Sequence, residues 1–289
     1  MEPLTDSHLP FVTVIVAARN AAATISTTLD SLERNIPDLP AGTVELVFVD
    51  GDCTDETMQL VAARHQTLAA FARCHYVRSD IGVANAYNAG VARATGRYGM
   101  FLNADDEWPD GYLAAVAGAV ERAERRYPES RCVVYTTIVF INQQGERLFR
   151  REPPFYFHAV HKRQSVILHP NAAYPMVLLK RHPFPVHPDL RPSDHEQVYN
   201  LMKEAKPVRF SGSHYRYRIW ANSGTVRRAH TRNAARPGWP ERLLGVFCRV
   251  YVQSFESRLL PRLMMRIDGQ TYWRQPVPSS GPSRIMDAQ

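Results

Sequence analysis

Four short polar clusters carry the side chains most able to do chemistry: Arg19-Asn20, Asp50-Gly51-Asp52, Ser79-Asp80 and Asn103-Ala104-Asp105-Asp106. Asp105 and Asp106 directly follow an apolar run, so their carboxylates are held on short stems at one place. A hard divalent cation with oxygen ligands requires such an arrangement, and Mg²⁺ or Mn²⁺ there would bridge a diphosphate. A solvated turn capping a helix near Gly111 would use the same residue types, and the acidic pair alone does not separate the two readings. Asp50 can accept a hydrogen bond from an imide N–H or a ribose hydroxyl, while Gly51 lets a ring approach the backbone, which suits a uracil-like base. A strand-to-helix turn capped by Thr54 would also look like this. No GxGxxG follows the first apolar run and no GxxxxGK[ST] occurs, which counts against a dinucleotide-binding enzyme and a P-loop NTPase.

The elements that must position these clusters follow from periodicity. Val12 to Ala17 and Val44 to Val49 are almost unbroken apolar runs rich in valine, as strands buried on both faces of a parallel sheet read. Between them Ile25, Leu29 and Leu32 recur at helical spacing behind Asn20, an expected N-cap, and Pro37 and Pro40 close the segment. The pattern repeats: Thr54 is expected to cap a helix with Met58 and Val61, His75 to Val77 is a short strand, Val83, Tyr87 and Val91 form a helical stripe, and Tyr98 to Leu102 is the next strand. Alternating strands and helices imply a mostly parallel α/β sheet with helices on both faces and ligands at the carboxyl ends of its strands. Beyond a helix over about 111–126 come a strand over 133–141, a turn at 142–145, irregular Pro-rich chain over 153–192, a helix over about 194–205 and a strand near 208–211.

The 289 residues are 45% hydrophobic, enough for one large domain with an appendage. Met1 to Pro10 has no secretory-signal pattern, and no run reaches the roughly 18 to 20 apolar residues that cross a bilayer. The expected address is cytoplasmic. Cys53, Cys74, Cys132 and Cys248 are scattered without metal-ligand spacing and read as reduced thiols. The net charge of +7 favours anionic partners, and Lys and Arg crowd after residue 145 while the loop carboxylates lie earlier.

The ordered set Val12-Thr13-Val14-Ile15-Val16, Asp50-Gly51-Asp52-Cys53-Thr54-Asp55, Ser79-Asp80-Ile81-Gly82, Asn88-Ala89-Gly90, Ala94-Thr95-Gly96 and Phe101-Leu102-Asn103-Ala104-Asp105-Asp106 resembles family 2 glycosyltransferases over about residues 10–225. The resemblance implies a GT-A type fold, an inverting reaction, a nucleotide-sugar donor and a glycan or lipid-linked saccharide acceptor. It implies that Ala17, Arg19 and Asp50 line the nucleoside, that Asp80 and Asn88 border the base and sugar-phosphate, and that Asn103 and Ala104 stand beside the donor. Asp105 becomes the main metal ligand, His169 a metal or phosphate contact, and Asp194, in Ser193-Asp194-His195-Glu196, the general base. Without the resemblance, Ser193 or Asp194 reads as a helix cap. This chain has Ala17-Ala18-Arg19-Asn20 where the family commonly has Pro-Thr-Tyr-Asn, and Asn103 in place of the first acid of Asp-Ala-Asp.

The expected organisation is a catalytic domain over 1–225, with a donor half at 10–110 and an acceptor half at 111–225, followed by a basic helical extension at 226–289. In that extension Leu244, Phe247, Tyr251 and Phe255 fall three to four apart among arginines, so the helix either packs on the domain or makes peripheral contact with the inner face of the plasma membrane. A non-catalytic nucleotide- or glycan-binding protein with a degenerate site is the alternative function. No nucleic-acid reader motif accompanies the basic charge, so nucleic acid is not an expected partner.

Overall fold

The computed structural model describes residues 10–129, 131–189 and 193–219 in full, and the backbone of 264–267 and 270–273. In chain order the elements are β1 (Val12–Ala18), α1 (Ile25–Asn35), β2 (Val44–Asp50), α2 (Thr57–Ala63), α3 (His65–Ala69), β3 (Arg73–Arg78), α4 (Val83–Arg93), β4 (Tyr98–Phe101) and α5 (Tyr112–Arg126). Then follow β5 (Cys132–Ile141), β6 (Arg147–Arg151), α6 (His158–His161), β7 (Ala172–Pro175), α7 (Met176–Arg181), α8 (Asp194–Leu201) and β8 (Lys206–Arg218).

Strands β3, β2, β1 and β4 lie in that order and run parallel. Both faces of β1 and β2 are covered, which explains their unbroken apolar runs. Val12, Val14, Val16, Leu46 and Phe48 join a core with α1, α2, α3 and α5, while Ile15, Val47 and Val49 join a second core with α4, α7 and α8. Helix α4 approaches the sheet through Gly90, where a Cβ would lie 2.5 Å from Ile15 Cγ2 and 3.3 Å from Val49 Cγ2.

The second half departs from the expected irregular chain. Within 153–192 the protein forms α6, a 3-10 turn at His169–Asn171, β7 and α7. β7 pairs antiparallel with both β4 and β5 and so joins the two halves of the sheet. β6 pairs antiparallel and β8 parallel with β5, making the whole sheet mixed. β8 spans 13 residues, far beyond the expected 208–211, because pairing along the length of β5 supplies backbone partners that local propensity does not reveal.

Two expected caps also differ. Asn20 stands outside α1 with φ 49°, and its Oδ1 accepts from Thr54 N at 2.8 Å, clamping the loop after β1 to that after β2. At α2 it is Asp55, not Thr54, whose carboxylate accepts the Thr57 N–H at 3.0 Å. At the opposite end of the sheet, buried Glu45 accepts from Thr13 Oγ1, Thr95 N and Thr95 Oγ1 and contacts His75 Nε2, which gives the Ala94-Thr95-Gly96 motif a structural role. Burial alone would raise the Glu45 carboxyl, but the Thr13 and Thr95 hydrogen bonds and His75 bring it below its ordinary value.

The expected helix at 244–255 and the boundary at 225 lie outside the described residues. Of the extension, the described parts are two short strands, β9 (Met264–Ile267) and β10 (Gln270–Trp273), paired antiparallel, where a helical segment is expected from sequence. No described helix is long and apolar enough to cross a membrane. Gly90→Ala should lower stability by about 1–2 kcal/mol, since overpacking against Ile15 outweighs the gain in helix propensity; a thermal melt checks this.

Candidate active site

The loops after β1, β2, β3 and β4 meet at the carboxyl ends of the parallel strands, as the strand register requires: Ala18 lies opposite Asp50, and Asp50 opposite Arg78. An open cleft of about 920 Å³ is lined there by Asp52, Arg78, Ser79, Asp80, Ile81, Asn85, Asn88 and Ala89. Asp80 is exposed, as expected of a ligand contact. Asn88 also lines the cleft, yet its amide is engaged at both ends: Nδ2 donates to Phe184 O at 2.9 Å and Oδ1 accepts from Phe184 N at 2.8 Å. Beside the cleft, Asp50 Oδ1 accepts from Cys53 N at 2.7 Å, Ala17 is half-buried and Arg19 is exposed.

The acidic loop after β4 is tied down from two sides. Thr24 and Thr28 of the α1 region donate to Ala104 O at 2.9 Å and Asp106 O at 2.7 Å. From the other side, buried Asp106 accepts from Tyr215 Oη (2.7 Å), Arg218 N (2.7 Å) and Asn103 Nδ2 (2.8 Å). Burial and neighbouring Asp105 push the Asp106 carboxyl well above its ordinary range, against these three donors, which favour the charged form. Arg218 further donates to the carbonyls of Asp105, Asn142 and Gln143 and pairs with Glu107, and Glu107 and Arg216 exchange backbone hydrogen bonds. Asn103 Oδ1 accepts from Tyr87 Oη at 2.6 Å.

Asn103, Ala104 and Asp106 have structural bonds, and Asp105 is partly exposed with its carbonyl held by Arg218. Burial, reinforced by nearby carboxylates, drives the Tyr87 hydroxyl well above its ordinary value. Asp194 opens α8 half-buried in the helix's first turn, and Ser193 at the N-cap makes no side-chain capping bond. The next residue anchors the helix: His195 Nε2 contacts His161 O at 2.5 Å and its Nδ1 contacts Ser165 Oγ at 3.3 Å.

His169 is not a surface loop residue. It is 2% exposed among Tyr87, Phe101, Tyr174 and Phe184, with neither ring nitrogen bonded, and burial holds its pKa down to about 3. Among the described residues no three His, Cys, Asp or Glu side chains are grouped to hold a metal. Asp105 suits an ion that takes its other ligands from donor phosphates and water, the usual habit of Mg²⁺. Sequence reasoning did not assign site roles to Arg78, Tyr87, Tyr215 and Arg218. Tyr87 was legible only as part of an apolar stripe, and Tyr215 and Arg218 lie beyond the strand expected near 208–211.

A mixed α/β sheet with helices on both faces and paired acids after its fourth strand defines a GT-A type domain. The chain belongs to glycosyl transferase family 2, whose model matches residues 13–184. A PGL/p-HBAD biosynthesis glycosyltransferase of Mycobacterium tuberculosis is 36% identical over 116 residues, covering 40% of this chain and 43% of that protein. The Erwinia amylovora amylovoran biosynthesis glycosyltransferase AmsB is 30% identical over 138 residues, 47% of this chain and 43% of that one. The matched regions thus span less than half of these relatives. Among solved structures, S. aureus TarS in complex with UDP-GlcNAc superposes with a TM-score of 0.55 at 19% identity over 84% of this chain and 67% of that one. The Pyrobaculum calidifontis mannosyltransferase PcManGT, in complex with GDP-Man and Mn2+, gives 0.56 at 20% identity over 86% and 71%.

Asp106→Ala should cost about 3 kcal/mol or more, because three buried or part-buried donors lose their acceptor, and a thermal melt checks this. His161, held down to about 3 by burial and His195, and His169, also at about 3, stay neutral in the folded chain. The unfolded chain binds their protons first, so stability should fall as pH drops from about 6.5 toward 3, by up to about 1.4 kcal/mol per pH unit for each histidine. Denaturant titrations across that range should show a shallower slope for His169→Phe.

Proposed function

We propose that the chain transfers a sugar from a nucleoside diphosphate donor, a UDP-sugar foremost, to a hydroxyl of a glycan or lipid-linked saccharide, with inversion, in polysaccharide assembly. The observation that carries this reading is the open cleft at the carboxyl ends of the parallel strands, lined by polar loop residues that include Asp52, Asp80 and Asn88. Family membership supports it, as do the nucleotide sugars bound by TarS and PcManGT and the polysaccharide roles in the relatives' names.

In this reading Asp50 accepts from the base or ribose, and the cleft beside Asp80 and Asn88 takes the donor. Asp105 would hold Mg²⁺ or Mn²⁺, which would offset the charge that develops on the leaving diphosphate. Asp194 removes the proton of the acceptor hydroxyl as its oxygen bonds to the anomeric carbon and the bond from that carbon to the diphosphate oxygen breaks. His169 stays neutral in the wall behind Tyr87. Asn103 and Ala104 hold the loop's shape beside the donor.

With a panel of UDP-, GDP- and dTDP-sugars and Mn²⁺, one donor should release its nucleotide. Asp194→Asn should lower that rate at least about 100-fold while still binding nucleotide. Asp105→Ala should abolish the metal dependence of binding. Metal-dependent binding without turnover, even with acceptors supplied, would favour the non-catalytic alternative, and no binding of any nucleotide would remove the donor-site assignment.

A further inference from the structure

The first turn of α8 is placed by its side chains and not by a cap. The helix spans eight residues, Asp194–Leu201, and Ser193 makes no side-chain capping bond. Val198 and Leu201 bury the second turn in the core that β4, β5 and β7 share. The first turn reaches separate loops: Gln197 Nε2 donates to His182 O at 3.1 Å, and His195 bonds the segment after α6 through both ring nitrogens. Glu196 also meets His187 at 3.3 Å, but Glu196 is 52% exposed and such pairs hold little.

Each contact of His195 fixes a proton. A carbonyl only accepts, so Nε2 carries a hydrogen and donates it to His161 O, which leaves Nδ1 of the neutral ring to accept from Ser165 Oγ at 3.3 Å. Both partners are braced in turn. Val166 N donates to His161 Nδ1 at 3.1 Å, and burial holds the His161 ring down to about 3, so this acceptor persists at neutral pH. Arg151 Nη2 donates to Ser165 O at 2.6 Å, which ties the segment to β6. The rings of His161 and His195 meet edge to face at 4.8 Å. His195 thus joins α8 to a braced segment at the position directly after Asp194.

We propose that His195 is a positioning residue for Asp194: by pinning the first turn of α8 to His161 and Ser165, it fixes where the carboxylate of the candidate base meets the acceptor hydroxyl. The inference rests on the reading of Asp194 as base given above and goes beyond it by naming what holds that base in place. A displacement of about 1 Å at a reacting group costs on the order of 100-fold in rate. Donor binding at the ends of β1 to β4 does not pass through α8, so the signature is a loss of kcat with the donor KM kept.

Nucleotide release by the full chain tests this, with the UDP-, GDP- or dTDP-sugar that it turns over and water as the acceptor whose proton Asp194 takes. His195→Phe keeps a ring but loses both bonds, and it should lower kcat about 30-fold with the donor KM within about twofold. His195→Gln restores an N–H donor for His161 O and should recover most of that loss. Ser165→Ala, which removes only the Nδ1 partner, should lower kcat severalfold with KM kept, and it carries the test should the phenylalanine variant fail to fold. Added to Asp194→Asn, neither His195→Phe nor Ser165→Ala should slow release further, because the group they position no longer acts. Native kcat in both variants, a rise in KM matching the loss, an unrescued glutamine variant or a further loss on top of Asp194→Asn would overturn the proposal while leaving Asp194 as base. Native kcat in Asp194→Asn would remove the base reading and this inference together, as would release from no donor at all.

Discussion

A buried carboxylate with three converging donors organises the candidate site. Asp106 takes hydrogen bonds from a residue three positions earlier in its own loop and from two residues of β8, more than a hundred positions later in the chain. Leaving any of these donors without an acceptor in a dry interior costs more than the bond itself contributes, so the acidic loop and the last strand of the domain are coupled. Arg218 strengthens the coupling by bonding the carbonyls of Asp105 and of the turn after β5. The loop after β4 thus inherits its rigidity from the second half of the sheet.

That coupling separates the roles of adjacent acids. Asp106 is used up internally, and Asp105 keeps access to solvent. Tyr87 links the loop to the second core: its hydroxyl bonds Asn103, and its ring contacts Phe101, His169 and Phe184. Phe184 is itself held through its backbone by Asn88. One chain of contacts therefore runs from the cleft through α4 to the wall behind the acids, which explains why a residue expected to touch donor turns its amide toward the protein.

The parallel half was legible in the sequence because each signal is local. Continuous valine-rich runs, helical spacing of Ile25, Leu29 and Leu32, and polar residues immediately after each strand all follow from burial on both faces of the sheet. The clusters at Asp50, Asp80 and Asp105 were placed correctly at the strand ends for the same reason. The caps were not, because Asn20 and Asp55 satisfy donors across loops that meet only in the folded chain. β7 and most of β8 were missed because their pairing partners are remote, and short strands have weak intrinsic preference.

The amino-acid sequence by itself determined the alternating architecture, the end of the sheet at which ligands belong and the residue types available there. Tertiary structure alone decided that Asp106 is buried and bonded within the loop, that His169 lies neutral in an aromatic wall, and that Asp52 pairs with Arg78. The physical reason is that periodicity reports burial relative to a residue's own element, whereas hydrogen-bond satisfaction and electrostatic fields depend on what other elements bring alongside.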